Sequence, residues 1–247
     1  MNKEVIICVK LVQNIERRKR KNNTGGLNMK TKEILIIFFI FLFFISETAF
    51  AHQPRIVSEQ ITLIRNPEVS QAFYGILKGK PDYYHIDSEK QFNLYVGILV
   101  PDIENIDKDV SVKVVLEHEH EEEHEETEYI LNGTDHEWTY YYEEFGGDSY
   151  YQGPELKTTA EKGTYIIEVF SQDNDGKYVL VVGEKEEFPL DEFINTIITL
   201  PRLKEEFFEK PAYTAFFNLI GLFLLVIVVV VIAIIYVIFR FIKKRKK

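Results

Sequence analysis

The ten residues Glu117-His-Glu-His-Glu-Glu-Glu-His-Glu-Glu126 bring three imidazoles and seven carboxylates into one uninterrupted run. His118, His120 and His124 suit Zn²⁺, Ni²⁺ or Cu²⁺, because imidazole ligates these ions and the surrounding negative field concentrates cations. Within the run, His120-Glu121-Glu122-Glu123-His124 spells H-E-x-x-H. In a zinc peptidase that spacing sets two histidines one helical turn apart, with the glutamate polarising the metal-bound water. Such chemistry needs a water-excluded cleft. Here every neighbour is charged and no apolar stripe would dock the helix, so the pattern speaks against catalysis. Loose cation capture stands beside the plainer reading, a solvated charge run in a hairpin loop, and the plainer one is favoured.

His52 carries a second metal idea. It follows Ala49-Phe-Ala51, and a histidine freed as an N-terminus can chelate Cu²⁺ through its amine and imidazole, with His85 or His136 as partners if the fold brings them near. The alternative is a frayed terminus. Asp173-Asn-Asp-Gly176 offers clustered oxygens for Ca²⁺, but its spacing does not fit an EF-hand loop and a turn explains it better. Trp138, Tyr140, Tyr150 and Tyr151, with Gly146-Gly147 among them, are the candidate aromatic platform for a sugar or peptide, against core packing for about half of them. No G-x-S-x-G, P-loop or dinucleotide glycine pattern occurs, and the only cysteine is Cys8. The chain reads as non-catalytic, with no cofactor assured.

The elements that would position these groups are framed by two apolar blocks. Ile34–Ile45 is twelve apolar residues after Lys30 and Lys32 and before the A-x-A of residues 49–51. Its helical rise of about 18 Å is too short for a hydrocarbon core of about 30 Å, so residues 29–51 read as a signal peptide, with an uncleaved anchor as the alternative. The upstream residues 1–28, basic and ending in Gly25-Gly-Leu-Asn28 before Met29, are expected to lie outside the cellular protein, with translation starting at Met29. The second block, within residues 214–240, is long enough to span a membrane. The tail 241–247 is strongly basic and therefore belongs in the cytoplasm. Residues 52–210 carry 14 Lys and Arg against 35 Asp and Glu, a net −21, while the whole chain stands at −10. An exported surface so acidic excludes nucleic acid as a partner and suits cations or another envelope protein.

Between the blocks, residues 52–188 read as an exported domain of short strands rich in Val, Ile, Tyr and Phe, broken by Gly79-Lys-Pro81, Asn132-Gly133 and Asp173–Gly176. The expected strands are Ile61–Ile64, Ala72–Leu77, Tyr83–Ile86, Phe92–Val100, Val110–Leu116, Tyr129–Leu131, Trp138–Tyr142, Tyr165–Phe170 and Tyr178–Val182. The last two are expected to form a hairpin. Residues 189–213, with Phe193, Ile194, Ile197 and Ile198 at helical spacing, read as a helical linker interrupted by Pro201. That linker either packs on the sandwich or lies at a lipid interface.

Gly163-Thr-Tyr-Ile-Ile-Glu-Val169 and Gly176-Lys-Tyr-Val-Leu-Val-Val182, with Phe73-Tyr-Gly-Ile-Leu77 and Pro81-Asp-Tyr-Tyr-His-Ile86 upstream, resemble the bacterial pre-peptidase C-terminal domains over roughly residues 73–183. The resemblance implies a jelly-roll-like accessory module, non-catalytic and sometimes calcium-binding. The chain departs from that pattern in lacking a peptidase domain and in carrying the acidic insertion. The expectation is an all-β antiparallel sandwich with a C-terminal single transmembrane helix, sited in a prokaryotic plasma membrane with its bulk extracytoplasmic. Its leading role is binding at the envelope, and its alternative is handling of Zn, Cu or Ni.

Overall fold

The computed structural model describes residues 52–117, 128–187 and 189–245. Among them the strands are β1 (Gln53–Ile56), β2 (Ile61–Leu63), β3 (Gln71–Lys78), β4 (Asp82–Ser88), β5 (Phe92–Pro101), β6 (Ser111–Glu117), β7 (Glu128–Leu131), β8 (Thr139–Glu143), β9 (Asp148–Ala160), β10 (Gly163–Phe170) and β11 (Asp175–Val182). They form two sheets, β1-β3-β11-β5-β9-β8 and β2-β4-β10-β6-β7. Helix α1 (Leu190–Arg202), a π-helical turn (Leu203–Phe207), a 3₁₀ turn (Ala212–Phe216) and helix α2 (Leu219–Arg245) follow.

The two sheets face each other across one apolar core. Phe73, Leu77, Leu94, Val96, Ile98, Tyr178, Leu180 and Val182 enter it from the larger sheet, and Tyr84, Ile86, Val112, Val114, Tyr165, Ile167 and Val169 from the smaller. Alternation along each strand aims every second side chain inward. Edge-to-face rings bridge the core, Phe73 against Tyr84 at 5.3 Å and Phe92 against Tyr165 at 5.6 Å. A polar chain also crosses it. The Tyr84 and Tyr178 hydroxyls lie 2.7 Å apart, and Tyr178 donates to Asp82 at 2.6 Å. Burial pushes both tyrosines well up from their ordinary value, so both remain donors inside the core.

Three features differ from the sequence expectation. First, β10 and β11 are not a hairpin. β10 pairs with β4 and β6 in one sheet, while β11 pairs with β3 and β5 in the other. The inward faces Tyr165-Ile167-Val169 and Tyr178-Leu180-Val182 oppose each other across the core, so the connection must arch from sheet to sheet. Asn174 makes the arch with φ 54, and its carbonyl accepts from the Gly79 amide at 2.7 Å. Second, the ladders are antiparallel except where β1 joins β3 and β2 joins β4, both parallel. Third, β1 and the thirteen-residue β9 lie outside the expected strands. Gly153 and Pro154 had masked β9. They sit where the pairing slips between Gly97 and Leu99 of β5, a bulge at which a missing amide is tolerated.

The larger sheet is covered on its other face too. Ala72, Tyr150, Val179 and Val181 pack there against Leu203, Phe207 and Phe208, which explains why β11 is buried on both sides from Tyr178 to Val182. Helix α1 carries Asp191 and Glu192 in its first turn and passes through Pro201 before widening into the π turn, where the Phe208 amide reaches back to the Leu203 carbonyl at 3.0 Å. Glu209 then turns with φ 56, the left-handed conformation that ends many helices, and the Lys210 amide closes on the Lys204 carbonyl six residues back at 2.8 Å.

Gly75 lies opposite Tyr178 in the ladder, and a Cβ there would stand 2.2 Å from the tyrosine Cζ. Gly75→Ala is expected to displace that ring and cost about 1–3 kcal/mol as an overpacked core, measured as a lower urea midpoint with loss of near-ultraviolet tyrosine dichroism.

Candidate functional site

The tight connection between β8 and β9 begins with Glu143, whose carboxylate accepts from the amides of Phe145 at 2.7 Å and Gly146 at 2.6 Å. Gly147 follows with φ 70, a left-handed conformation that glycine adopts without strain. With its amides satisfied internally, this turn presents the Gly146 carbonyl and the Asp148 carboxylate to the helical segment. Lys204 donates to the Gly146 carbonyl at 2.9 Å and to Asp148 Oδ2 at 2.5 Å. The two side chains are only 2% and 3% exposed. Lys210 reaches Asp148 Oδ1 at 3.1 Å from a more open position.

The same carbonyl accepts from Asn218 Nδ2 at 2.6 Å. Asn218 Oδ1 in turn accepts from the Gly221 amide at 3.0 Å, which is an N-cap on α2. One backbone carbonyl thus joins the sheet, the buried lysine and the first turn of the apolar helix. Two further ion pairs flank this collar. Arg55 grips Glu192 with two hydrogen bonds of 2.8 and 2.7 Å. Lys177 donates to the Phe207 carbonyl at 2.9 Å and to Glu209 at 2.7 Å.

Aromatic packing completes the contact. The Tyr74 and Tyr150 hydroxyls lie 3.0 Å apart. Phe207 stands edge-on to Tyr74 at 5.1 Å, and Phe208 to Tyr150 at 5.5 Å. Burial drives both phenols well above their ordinary value. It also raises the Glu143 carboxyl, with the Gly146 and Phe145 amides pulling the other way and Asp148 adding to the rise.

The sequence-derived candidates fall elsewhere or at its border. His118, His120 and His124 lie outside the described residues. The ends of their segment are fixed, because β6 and β7 pair on either side with Val115 opposite Glu128. His52 sits beside the collar with Nδ1 on the Ser70 hydroxyl, and burial lowers its pKa. Among the described residues no group of three or more His, Cys, Asp or Glu side chains comes together as a metal site. Asp173 closes the arch locally, accepting from the Asp175 amide at 3.0 Å and the Ser171 hydroxyl at 3.1 Å.

The four aromatics do not share one surface. Tyr140 is open and edge-on to Tyr151 at 6.3 Å, and Lys108 lies 3.6 Å over the Tyr151 ring. Trp138 is partly buried against the core, with its indole N–H on the Gly133 carbonyl at 2.8 Å. Tyr150 faces the collar. Tyr140, Tyr141 and Tyr142 remain exposed along β8, which is the outermost strand of its sheet. A separate cleft of about 560 Å³ opens along β1 and β2, lined by Arg55, Arg65, Glu59, Ile61, Leu63 and Glu187 among others. Sequence reasoning missed the collar. Its signal was present: Lys204 shares a helical face with Leu200, Leu203, Phe207 and Phe208, and a lysine on such a face calls for a buried carboxylate.

No protein-family model matches this chain, and no curated protein matches it. Among solved structures it is similar to the pre-peptidase C-terminal domain of a collagenase from Bacillus anthracis, at 20% sequence identity and a TM-score of 0.29, over 50% of this chain and 95% of that one. The strand pattern of residues 73–183 resembles the same family. The likeness is loose.

Asp148→Asn is expected to strand the Lys204 ammonium without its counter-charge and to cost about 3–5 kcal/mol, measured as a lower thermal midpoint and faster proteolysis ahead of α1. Replacing both partners, Asp148→Leu with Lys204→Met, should restore most of the loss. The raised Glu143 carboxyl gives a pH signature. The native state holds this proton to higher pH than the unfolded chain, so stability falls as pH rises from the ordinary 4.5 through the native value and then levels off. Urea midpoints should therefore rise toward pH 4.5 more steeply in the wild type than in Glu143→Gln.

Proposed function

We propose that this protein is a single-pass, membrane-anchored binding domain of the cell envelope, non-catalytic, with the sandwich outside the cytoplasmic membrane of a prokaryote and the basic tail inside. The observation that carries the reading is the collar. Leu219–Tyr236 has a mean hydropathy of 3.4 over 18 residues, and the first turn of that helix is hydrogen-bonded to the sandwich through Asn218 and Gly146. An apolar helix of this length suits a bilayer, and the collar ties the sandwich to one end of it. The exposed tyrosines of β8 offer amphipathic contact area of the kind protein partners use, and their edge position leaves a free ladder for an added strand.

A second reading, handling of Zn, Cu or Ni, rests on the three histidines and seven carboxylates of residues 117–126, or on a mature N-terminal His52. Calcium remains an expectation of the family resemblance, and no cofactor is assigned.

Topology tests the anchoring. In a chain whose sole cysteine, Cys8, is changed to serine, Asp87→Cys should react with an impermeant maleimide on intact cells, and Lys243→Cys only after permeabilisation. Labelling of both, or neither, from outside would overturn the orientation. A photo-crosslinker at Tyr140 in the same cells should capture a protein partner. Loss of capture with chelator, and on changing His118, His120 and His124 to alanine, would instead favour the metal reading.

A further inference from the structure

Helix α1 is apolar on more of its circumference than the sandwich covers. Thr196 and Leu200 are buried toward the collar. Phe193 stands edge-on to Phe223 of α2 at 5.7 Å, and Ile197 and Leu224 pack on the small cluster of Leu200, Ala215 and Ile220. Beyond that contact, Leu190, Ile194 and Ile198 are 74%, 50% and 70% exposed. Spaced four residues apart, they form one stripe. On the helical wheel the stripe lies next to the α2-facing residues Phe193 and Ile197 and away from the sandwich-facing Thr196 and Leu200. Tyr213, Phe217 and Leu219, where the chain turns into α2, are exposed as well.

We propose that α1 is a lipid-binding element, its Leu190-Ile194-Ile198 stripe seated with Tyr213 and Phe217 in the outer interface of the bilayer that α2 crosses. The inference rests on the reading of α2 as a membrane span, and the length of α2 carries it. The apolar run from Leu219 ends at Phe239, before the first charge at Arg240. At 1.5 Å per residue it measures about 31 Å, against a hydrocarbon core of about 30 Å, so no slack is left to lift its outer end. Phe223 and Leu224 then lie about 6–8 Å below that end. A helix packed on them is held at the depth of about 5–10 Å where interfacial helices sit. The exposed aromatics at the turn into α2 match the belt that marks such interfaces.

Asp191, exposed in the first turn of α1, lies beside the stripe on the helical wheel and is placed at the headgroup level. Glu192 is held by Arg55, Glu206 by Arg202 and Glu209 by Lys177. The stripe itself holds no Lys or Arg, and the exported region is strongly acidic, so seating comes from aliphatic burial and not from attraction to anionic headgroups.

Nitroxide scanning of the full chain, Cys8→Ser, in phosphatidylcholine vesicles tests this. Labels at Ile194→Cys and Ile198→Cys are expected to show an oxygen-to-nickel accessibility ratio several-fold above that of Asp87→Cys, exposed on β4 of the sandwich. Adding phosphatidylglycerol should leave the ratios unchanged. Val229→Cys, mid-span on α2, separates the two readings. A hydrocarbon signal at 229 with a water-exposed label at 198 overturns the lipid seat and leaves the anchor standing. A water-exposed label at 229 overturns the span and the seat together. Exclusion of both reagents at 198 with dipolar coupling between labels would assign the stripe to a second copy and overturn the proposal.

Discussion

The Asp148 carboxylate and the Lys204 ammonium are both removed from water, and everything between the sandwich and the apolar helix depends on their meeting. A buried charge without its partner costs several kcal/mol, so this pair makes the docked arrangement far more specific than its apolar contacts would alone. Phe207 and Phe208 could slide over a sheet of Val179, Val181 and Ala72 with modest loss. Lys204 cannot, because it must find a carboxylate and a carbonyl at once, and the Glu143-capped turn offers both at a single point. The register of α1, the π turn after it and the start of α2 all follow from that point.

The π turn belongs to the same requirement. Pro201 removes one amide from the helical ladder, and the wider turn that follows brings Leu203, Lys204, Phe207 and Phe208 to the sheet together. A regular helix would carry Phe208 about 140° around the circumference from Leu203. Glu209 then accepts a left-handed backbone that glycine usually takes, and its side chain is held by Lys177.

The sandwich was legible where burial is one-sided. Strands β3 to β7, β10 and β11 announce themselves through Val, Ile, Tyr and Phe at every second position, because a half-buried sheet imposes that period. β9 hides because part of it is an exposed ladder of Glu155, Lys157 and Thr159 and its middle is a bulge built on Gly153 and Pro154. β1 hides because four residues carry no period. The β10–β11 connection misled for a different reason: a short polar turn between alternating strands fits a hairpin or an arch equally well, and only the competition for neighbours decides. Of the candidate sites, the aromatic residues were visible as composition, but their division between two faces of β9 required the register. The collar depends on pairs 56 and 62 residues apart, a separation that no local pattern encodes.

The Asn218 cap has a consequence for how the molecule searches its surroundings. A domain on a slack tether sweeps a hemisphere and meets partners from solution in any orientation. If α2 spans a membrane as proposed, the head turns only as its helix turns, at constant height and with one azimuth relative to the helix axis. Its encounters become two-dimensional, and much of the rotational freedom that association normally removes is already gone before contact. On that proposal a neighbour embedded in the same membrane would meet the β8 edge at a reproducible level, whereas a freely diffusing protein would gain nothing from the arrangement.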